Sequence, residues 1–237
     1  MADHTVKAFD AELEALTAKV SEMGGLAEAE LTGAIEAVAK RDTALAERII
    51  LDDVRVDELC RQIEAQAVRL LALRQPMADD LRETLAAIKM SVDLERIGDL
   101  AKNVAKRALV LNREPPVRLT QSVGRMGRQA LQQLTQVLDA YTQRSAERAL
   151  AVWHSDNDID EIYNSLFREL LTYMMEDPRT IGLCTHLLFL AKNLERIGDH
   201  ATNVAEIVYH LVTGTDLSLD RPRGDVTSLM TVEFPKP

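Results

Sequence analysis

The stretch Leu94 to Ala105, LERIGDLAKNVA, returns a hundred residues later as Leu194 to Ala205, LERIGDHATNVA, with ten of twelve positions identical. The flanks have drifted: KMSVD at Lys89 to Asp93 faces FLAKN at Phe189 to Asn193. The chain is an internal duplication, and within it Glu95, Asp99 and Asn103, like Glu195, Asp199 and Asn203, stayed fixed while their neighbours changed.

Working outward, apolar residues recur at helical spacing. Phe9, Leu13, Leu16, Val20 and Met23 make one stripe, which Gly24 and Gly25 bend without ending. A second pattern runs from Asp42 to Leu73 through Val56, Leu59, Ile63, Ala67 and Leu70. Pro76 supplies a break and a helix start, because proline fits the first turn of a helix but not its interior. The third helix carries Leu85, Ile88, Val92, Leu94, Ile97, Ala101 and Val104 and stops at Glu114-Pro115-Pro116. The second half repeats the plan: Val123, Met126, Ala130, Leu134 and Leu138, then Ile159, Ile162, Leu166 and Leu170, then Asp177-Pro178 and a last helix to Thr213. The spacing predicts an all-α fold of two tandem, pseudo-symmetric three-helix bundles, six helices in all. Residues 1–114 form the first, residues 115–213 the second, and residues 214–237, richer in proline and glycine, a mobile tail.

Composition narrows the function. A formal charge of -10 argues against a nucleic-acid partner, which needs a basic surface, and against adhesion to anionic lipid. Cys60 and Cys184 stand apart, outside any CxxC or Cys/His cluster, which suits packing in a reducing compartment. The N-terminus has no apolar run of signal-peptide type, and the longest uncharged stretch, Thr180 to Ala191, is well short of the roughly 20 residues that span a bilayer. These features predict a cytoplasmic protein with no direct membrane insertion.

Glu95, Asp99 and Asn103 lie at i, i+4 and i+8, steps of about 40° and about 6 Å along one helix face. An amphipathic helix with a solvated acidic side explains that alone. Yet like charges at i, i+4 cost roughly 0.2–0.5 kcal/mol, and a mid-helix glycine such as Gly98 or Gly198 about 1 kcal/mol; both copies keep both penalties. Gly98 also suits close helix packing, and Arg96 relieves part of the repulsion.

Turn geometry adds a second constraint. Asp57 and Glu95 are each 19 residues from Pro76, and Asp53 and Asp99 each 23. Around Pro178, Asp160 and Glu195 stand 18 before and 17 after, Asp156 and Asp199 22 before and 21 after. An antiparallel hairpin brings each set to one level. Negative charges about 6 Å apart at an effective dielectric near 20 repel by roughly 3 kcal/mol, so such a cluster takes up protons, stays wet or binds a cation. Oxygen donors alone favour Mg, Mn, Ca or Fe over a structural zinc. Asp53, Asp57, Glu95, Asp99 and Asn103 are the candidate ligands in one half, Asp156, Asp160, Glu195, Asp199 and Asn203 in the other. His200 beside Asp99's counterpart could join a site but reads more simply as an exposed or capping residue. No Ser/His/Asp order, glycine-rich phosphate loop or GKS/GKT sequence is present.

The paired ERIGD with its following asparagine closely resembles the signature of the PhoU family of bacterial phosphate-uptake regulators. Arg74-Gln75-Pro76 with Asp80-Leu81-Arg82, Tyr173 to Asp177 before Arg179-Thr180-Ile181, and Met23-Gly24-Gly25 agree in order. The resemblance extends to Thr213, with Asn193 in place of the acid at Asp93 as the main departure. It implies two pseudo-symmetric bundles, frequent dimerisation, and divalent or ferric ions, Mg, Mn or Fe, at the carboxylates. It also implies a negative regulator of the phosphate-starvation response, coupling the ATPase of a phosphate ABC transporter to a membrane sensor histidine kinase. Two readings compete with this non-enzymatic adaptor. A di-iron carboxylate enzyme needs Glu-x-x-His on two helices, and no histidine here has a glutamate three residues before it. A purely structural scaffold would leave the retained acids incidental.

Overall fold

The computed structural model describes residues 2–74, 76–115 and 119–217, with side chains from residue 9 onward. Among these residues the chain is all α: α1 (Ala2–Lys40), α2 (Thr43–Asp52), α3 (Val54–Arg74), α4 (Asp79–Leu111), α5 (Leu119–Thr142), α6 (Ala146–His154), α7 (Asp156–Glu176), a 3-10 turn (Pro178–Thr180) and α8 (Ile181–Thr213). These are six rods, because α2 with α3, and α6 with α7, are two pieces of what the periodicity reads as one helix.

Both breaks have a local cause. Asp53 follows α2, and its carbonyl accepts from the N–H groups of Val56 and Asp57, so α3 starts afresh on it. Ser155 plays the matching part before α7, its hydroxyl turned back onto the carbonyl of Val152 at 2.8 Å. Each broken rod is entered through a side-chain cap, Asp42 Oδ1 accepting from Leu45 N at 2.9 Å and Ser145 Oγ from Arg148 N at 3.3 Å. The residue before each cap, Arg41 or Arg144, takes left-handed backbone, φ +56° and +48°, to turn the chain out of the long helix.

The first stripe is buried from Leu13 through Leu16, Val20 and Met23, then continues through Ala27, Leu31 and Ala34. As expected, α1 continues through Gly24 and Gly25 without a break. A Cβ on Gly24 would stand 2.5 Å from Leu138 Cδ2 of α5, and one on Gly127 would stand 2.9 Å from Ile35 Cγ1 of α1. The two first helices therefore cross antiparallel, each receiving the other's aliphatic side chain over a glycine. On α4, Leu94, Ile97, Ala101 and Val104 are buried as expected, but Leu85 and Val92 are 42% exposed, and Ala86, Ala87 and Met90 are buried instead. The cause is tertiary: α4 is gripped by α1 on one side and α8 on the other, leaving Leu85 and Val92 at a cleft between α4 and α8. Pro76 breaks the chain as expected, but the helix starts at Asp79, after Ala78 in left-handed backbone. Pro178 likewise opens a 3-10 turn, three residues ahead of α8.

The repeats are packed together along α4 and α8. Asp93 meets His200 and Asn203, and Arg107 meets His186, so numbering rises along one helix as it falls along the other. Gly214 ends α8 in left-handed backbone, its N–H donating to His210 O at 2.8 Å. Of the expected tail, residues 218–237 lie outside the described residues, as do Gln75 and Pro116.

Candidate functional site

In each repeat the last helix meets the break in the second rod and the middle of the first helix. The meeting point is the glycine of the ERIGD signature. A Cβ on Gly98 would stand 3.2 Å from Glu30 Oε2, 3.2 Å from Val56 Cγ1 and 3.5 Å from Asp53 Oδ1. On Gly198 it would stand 2.8 Å from Ile159 Cδ1 and 3.1 Å from Gln133 Oε1. Glu30 and Gln133 occupy matching places on α1 and α5, and Val56 and Ile159 on α3 and α7. The glycine thus lets a polar side chain of the first helix reach the acid cluster.

In the first repeat, Asp53 and Asp99 share one ammonium group. Lys102 Nζ donates to Asp99 Oδ1 at 2.6 Å and to Asp53 Oδ2 at about the same separation. The hairpin register counted from Pro76 therefore holds, with Lys102 between the two acids. Glu95 is half-buried, with Arg96 Nε 3.5 Å from its Oε2 and Arg96 NH1 3.7 Å from Asp99 Oδ2. Asp57 and Asn103 are half-buried nearby on α3 and α4.

Burial and mutual repulsion govern the electrostatics. Asp53 is pushed up first by burial, against the pull of Lys102. Glu95 is raised by burial, with Arg96 opposing and Asp99, Asp57 and Asp53 reinforcing. Glu30 goes furthest, to about 8, by burial and then by the charge of Asp53; it is 5% exposed, and its Oε2 has no hydrogen-bond partner. Lys102 is pulled down by burial, but its bonds to Asp53 and Asp99 outweigh that and hold it charged.

The second repeat uses different chemistry on the same frame. Thr202 replaces Lys102, and its hydroxyl donates to Asp156 Oδ1 at 2.8 Å. The cation here is Lys192, one turn before Glu195, 2.9 Å from Glu195 Oε2 and 5.0 Å above the Tyr163 ring. Gln133 Nε2 donates to Ser155 O at 2.8 Å and Ser155 Oγ at 3.1 Å. Asp156, Asp160 and Glu195 are buried and Asp199 is half-buried. Asn203 turns across the seam, donating to Asp93 Oδ1 at 3.1 Å, beside His200 Nδ1 at 2.8 Å.

The donors suit a hard cation: carboxylate oxygens, desolvated, with Glu30 Oε2 unpartnered beside them. As the side chains stand, however, no three His, Cys, Asp or Glu among the described residues converge closely enough to hold a metal ion. In the first repeat Lys102 fills the place between Asp53 and Asp99 that a cation would take.

Three partners escaped the reading of the sequence: Lys102, the Glu30/Gln133 pair, and the Asp93–His200 contact. The signal was present in the repeat itself. Its only two differences, Leu100/His200 and Lys102/Thr202, fall on two of these contacts, and the Asp93/Asn193 departure is the far end of one of them.

A duplicated helical bundle with an acid cluster at each signature glycine suits a binding or regulatory protein as well as a carboxylate enzyme. The comparisons specify which. The PhoU domain matches residues 20–108 and again residues 123–208. The chain is 55% identical to a phosphate-specific transport system accessory protein PhoU homolog of Caulobacter vibrioides, over 96% of this chain and 100% of that one. It is 51% identical to the homolog of Rhizobium meliloti, over 96% of both. The crystal structure of PhoU from Pseudomonas aeruginosa superposes with a TM-score of 0.85 at 41% identity, over 87% of this chain and 100% of that one. That of the phosphate transport system regulatory protein PhoU from Streptococcus pneumoniae gives 0.82 at 31% identity, over 89% and 100%. The chain belongs to the PhoU family, a family of accessory regulators of phosphate transport and not of enzymes. No helix among the described residues is long and apolar enough to cross a membrane.

Proposed function

We propose that this protein represses the phosphate-starvation response by coupling the ATPase of a phosphate ABC transporter to a sensor histidine kinase. It works in the cytoplasm, as a homodimer, and reaches the inner membrane only through those partners. The observation that carries this reading is near full-length identity of 55% with a phosphate-specific transport accessory protein, together with both signature copies intact on the fold.

Divalent or ferric ions belong to the same proposal. Asp53, Asp57, Glu95 and Asp99 would hold one, with Asn103 beside them; Asp156, Asp160, Glu195 and Asp199 would hold another, with Asn203 beside them. In the first cluster the ion would supply positive charge to the carboxyls of Asp53 and Glu95, which burial raises. There it competes with Lys102 for Asp53 and Asp99; in the second, Thr202 stands at that position and the ion competes with Lys192 for Glu195. The protein's own contribution is a rigid frame that keeps the acids at one level while its surfaces bind partners with an affinity that depends on their state.

The test is affinity capture from detergent-solubilised membranes of cells grown with and without phosphate. Recovery of the transporter ATPase and the kinase, in amounts that change with phosphate, is expected. Capture of neither under both conditions overturns the coupling role.

A further inference from the structure

Where the C-terminal end of α1 meets the first turns of α5 there is an open cleft of about 760 Å³, lined by Arg41, Thr120, Ser122, Arg125, Arg128 and Glu169. It uses no residue of either acid cluster. Three guanidinium groups face one carboxylate, in a chain whose formal charge is -10.

Among the described residues, none of the three arginines is spent on an ion pair. Arg125 NH2 donates to the hydroxyl of Ser122 at 3.4 Å, and neither Arg125 nor Arg128 pairs with a carboxylate among the described residues. Arg128 lies back over Gly124, its NH1 3.8 Å from where a Cβ would stand. Arg41 is held from behind: its NH2 donates to the carbonyls of Asn112, at 2.8 Å, and of Glu114. Its backbone is left-handed, a conformation that disfavours a side chain.

The duplication supplies an internal comparison. At the opposite end of the α1/α5 pair a cleft of about 460 Å³ is lined by Asp10, Glu14, Thr17, Glu83 and Arg144. Arg144 matches Arg41 and Thr17 matches Thr120, but here three carboxylates face one guanidinium, and Arg144 is already paired with Glu83. The two ends of one repeated frame have thus acquired opposite charge. Helix amphipathicity repeated twice would have given the same charge at both ends.

We propose that the basic cleft binds a phosphate group, as free orthophosphate or as the phosphate monoester of a lipid headgroup. Guanidinium groups match tetrahedral oxyanions through paired N–H donors. A long polyanion is disfavoured because the rest of the chain is strongly acidic. This site stands independently of the adaptor reading.

The experiment is calorimetric titration of the full chain with orthophosphate at constant ionic strength in chloride, beside flotation with phosphatidic acid vesicles and with neutral vesicles. Three proteins are compared: wild type, an Arg125→Gln, Arg128→Gln variant, and Arg144→Gln in the acidic cleft, each checked by circular dichroism. Saturable orthophosphate binding, at least tenfold weaker in the double variant and unchanged in Arg144→Gln, is expected. Binding to phosphatidic acid vesicles alone, lost in the same double variant, assigns the phosphate group to lipid. No binding to either, or equal binding by wild type and the double variant, overturns the proposal.

Discussion

Glu30→Gln should stabilise the protein, and do so more strongly as pH rises. The carboxyl is 5% exposed and its pKa stands at about 8, against an ordinary 4.5. Between those two values the folded chain binds a proton that the unfolded chain has released, so wild-type stability falls with rising pH across that window. At pH 7 the loss amounts to about 3 kcal/mol, and it keeps growing until the folded-state carboxyl ionises near pH 8. A glutamine has the same shape and no charge to desolvate, and the second repeat already carries Gln133 in the matching place, where its amide donates to Ser155. The variant should therefore melt roughly 6–12 °C higher than wild type at pH 7. The gain at pH 8 should exceed that at pH 5 by about 3 kcal/mol. Thermal melts at pH 5, 6, 7 and 8, at fixed ionic strength and with chelator present, measure it. A gain equal at pH 5 and pH 8, or no gain at all, would refute the account of Glu30 as a buried, proton-holding carboxyl.

Other consequences can be checked on the same footing. Gly198→Val should destabilise by about 1–3 kcal/mol in denaturant melts, because even a Cβ would stand 2.8 Å from Ile159 Cδ1; a neutral result would mean that the helices are not in contact there. Lys102→Thr installs the second repeat's residue in the first, and should lower the melting temperature in chelator while making it rise more steeply than wild type with added Mg or Mn, as a free cation replaces the ammonium between Asp53 and Asp99. Identical metal response in the two proteins would show that Lys102 and a cation do not compete. A fragment of residues 1–114 should retain helical circular dichroism and a cooperative melt, but self-associate through the α4 face that normally meets α8; an unfolded fragment would mean that the repeats fold only together.

Much of this was legible in the residues alone. The apolar period placed all six rods, because burial on one face imposes it, and equal distances from Pro76 placed Asp53 level with Asp99, because a hairpin imposes that. The breaks at Asp53 and Ser155 were not legible: they depend on backbone groups finding local acceptors, which leaves the apolar stripe unbroken. Leu85 and Val92 misled for the opposite reason, since a stripe shows only that a face is apolar and not whether a neighbour covers it. The role of Gly24 needed its partner Leu138 from the other repeat. Lys102 was hidden by attention to what the two signatures share, when the chemistry that separates the two clusters lies in the positions where they differ.

The central claim is regulatory, and alkaline phosphatase activity in a deletion strain grown in ample phosphate tests it most directly. The account predicts high activity in the deletion strain and return to the repressed level when the wild-type gene is restored. Activity that stays repressed without the gene would contradict it.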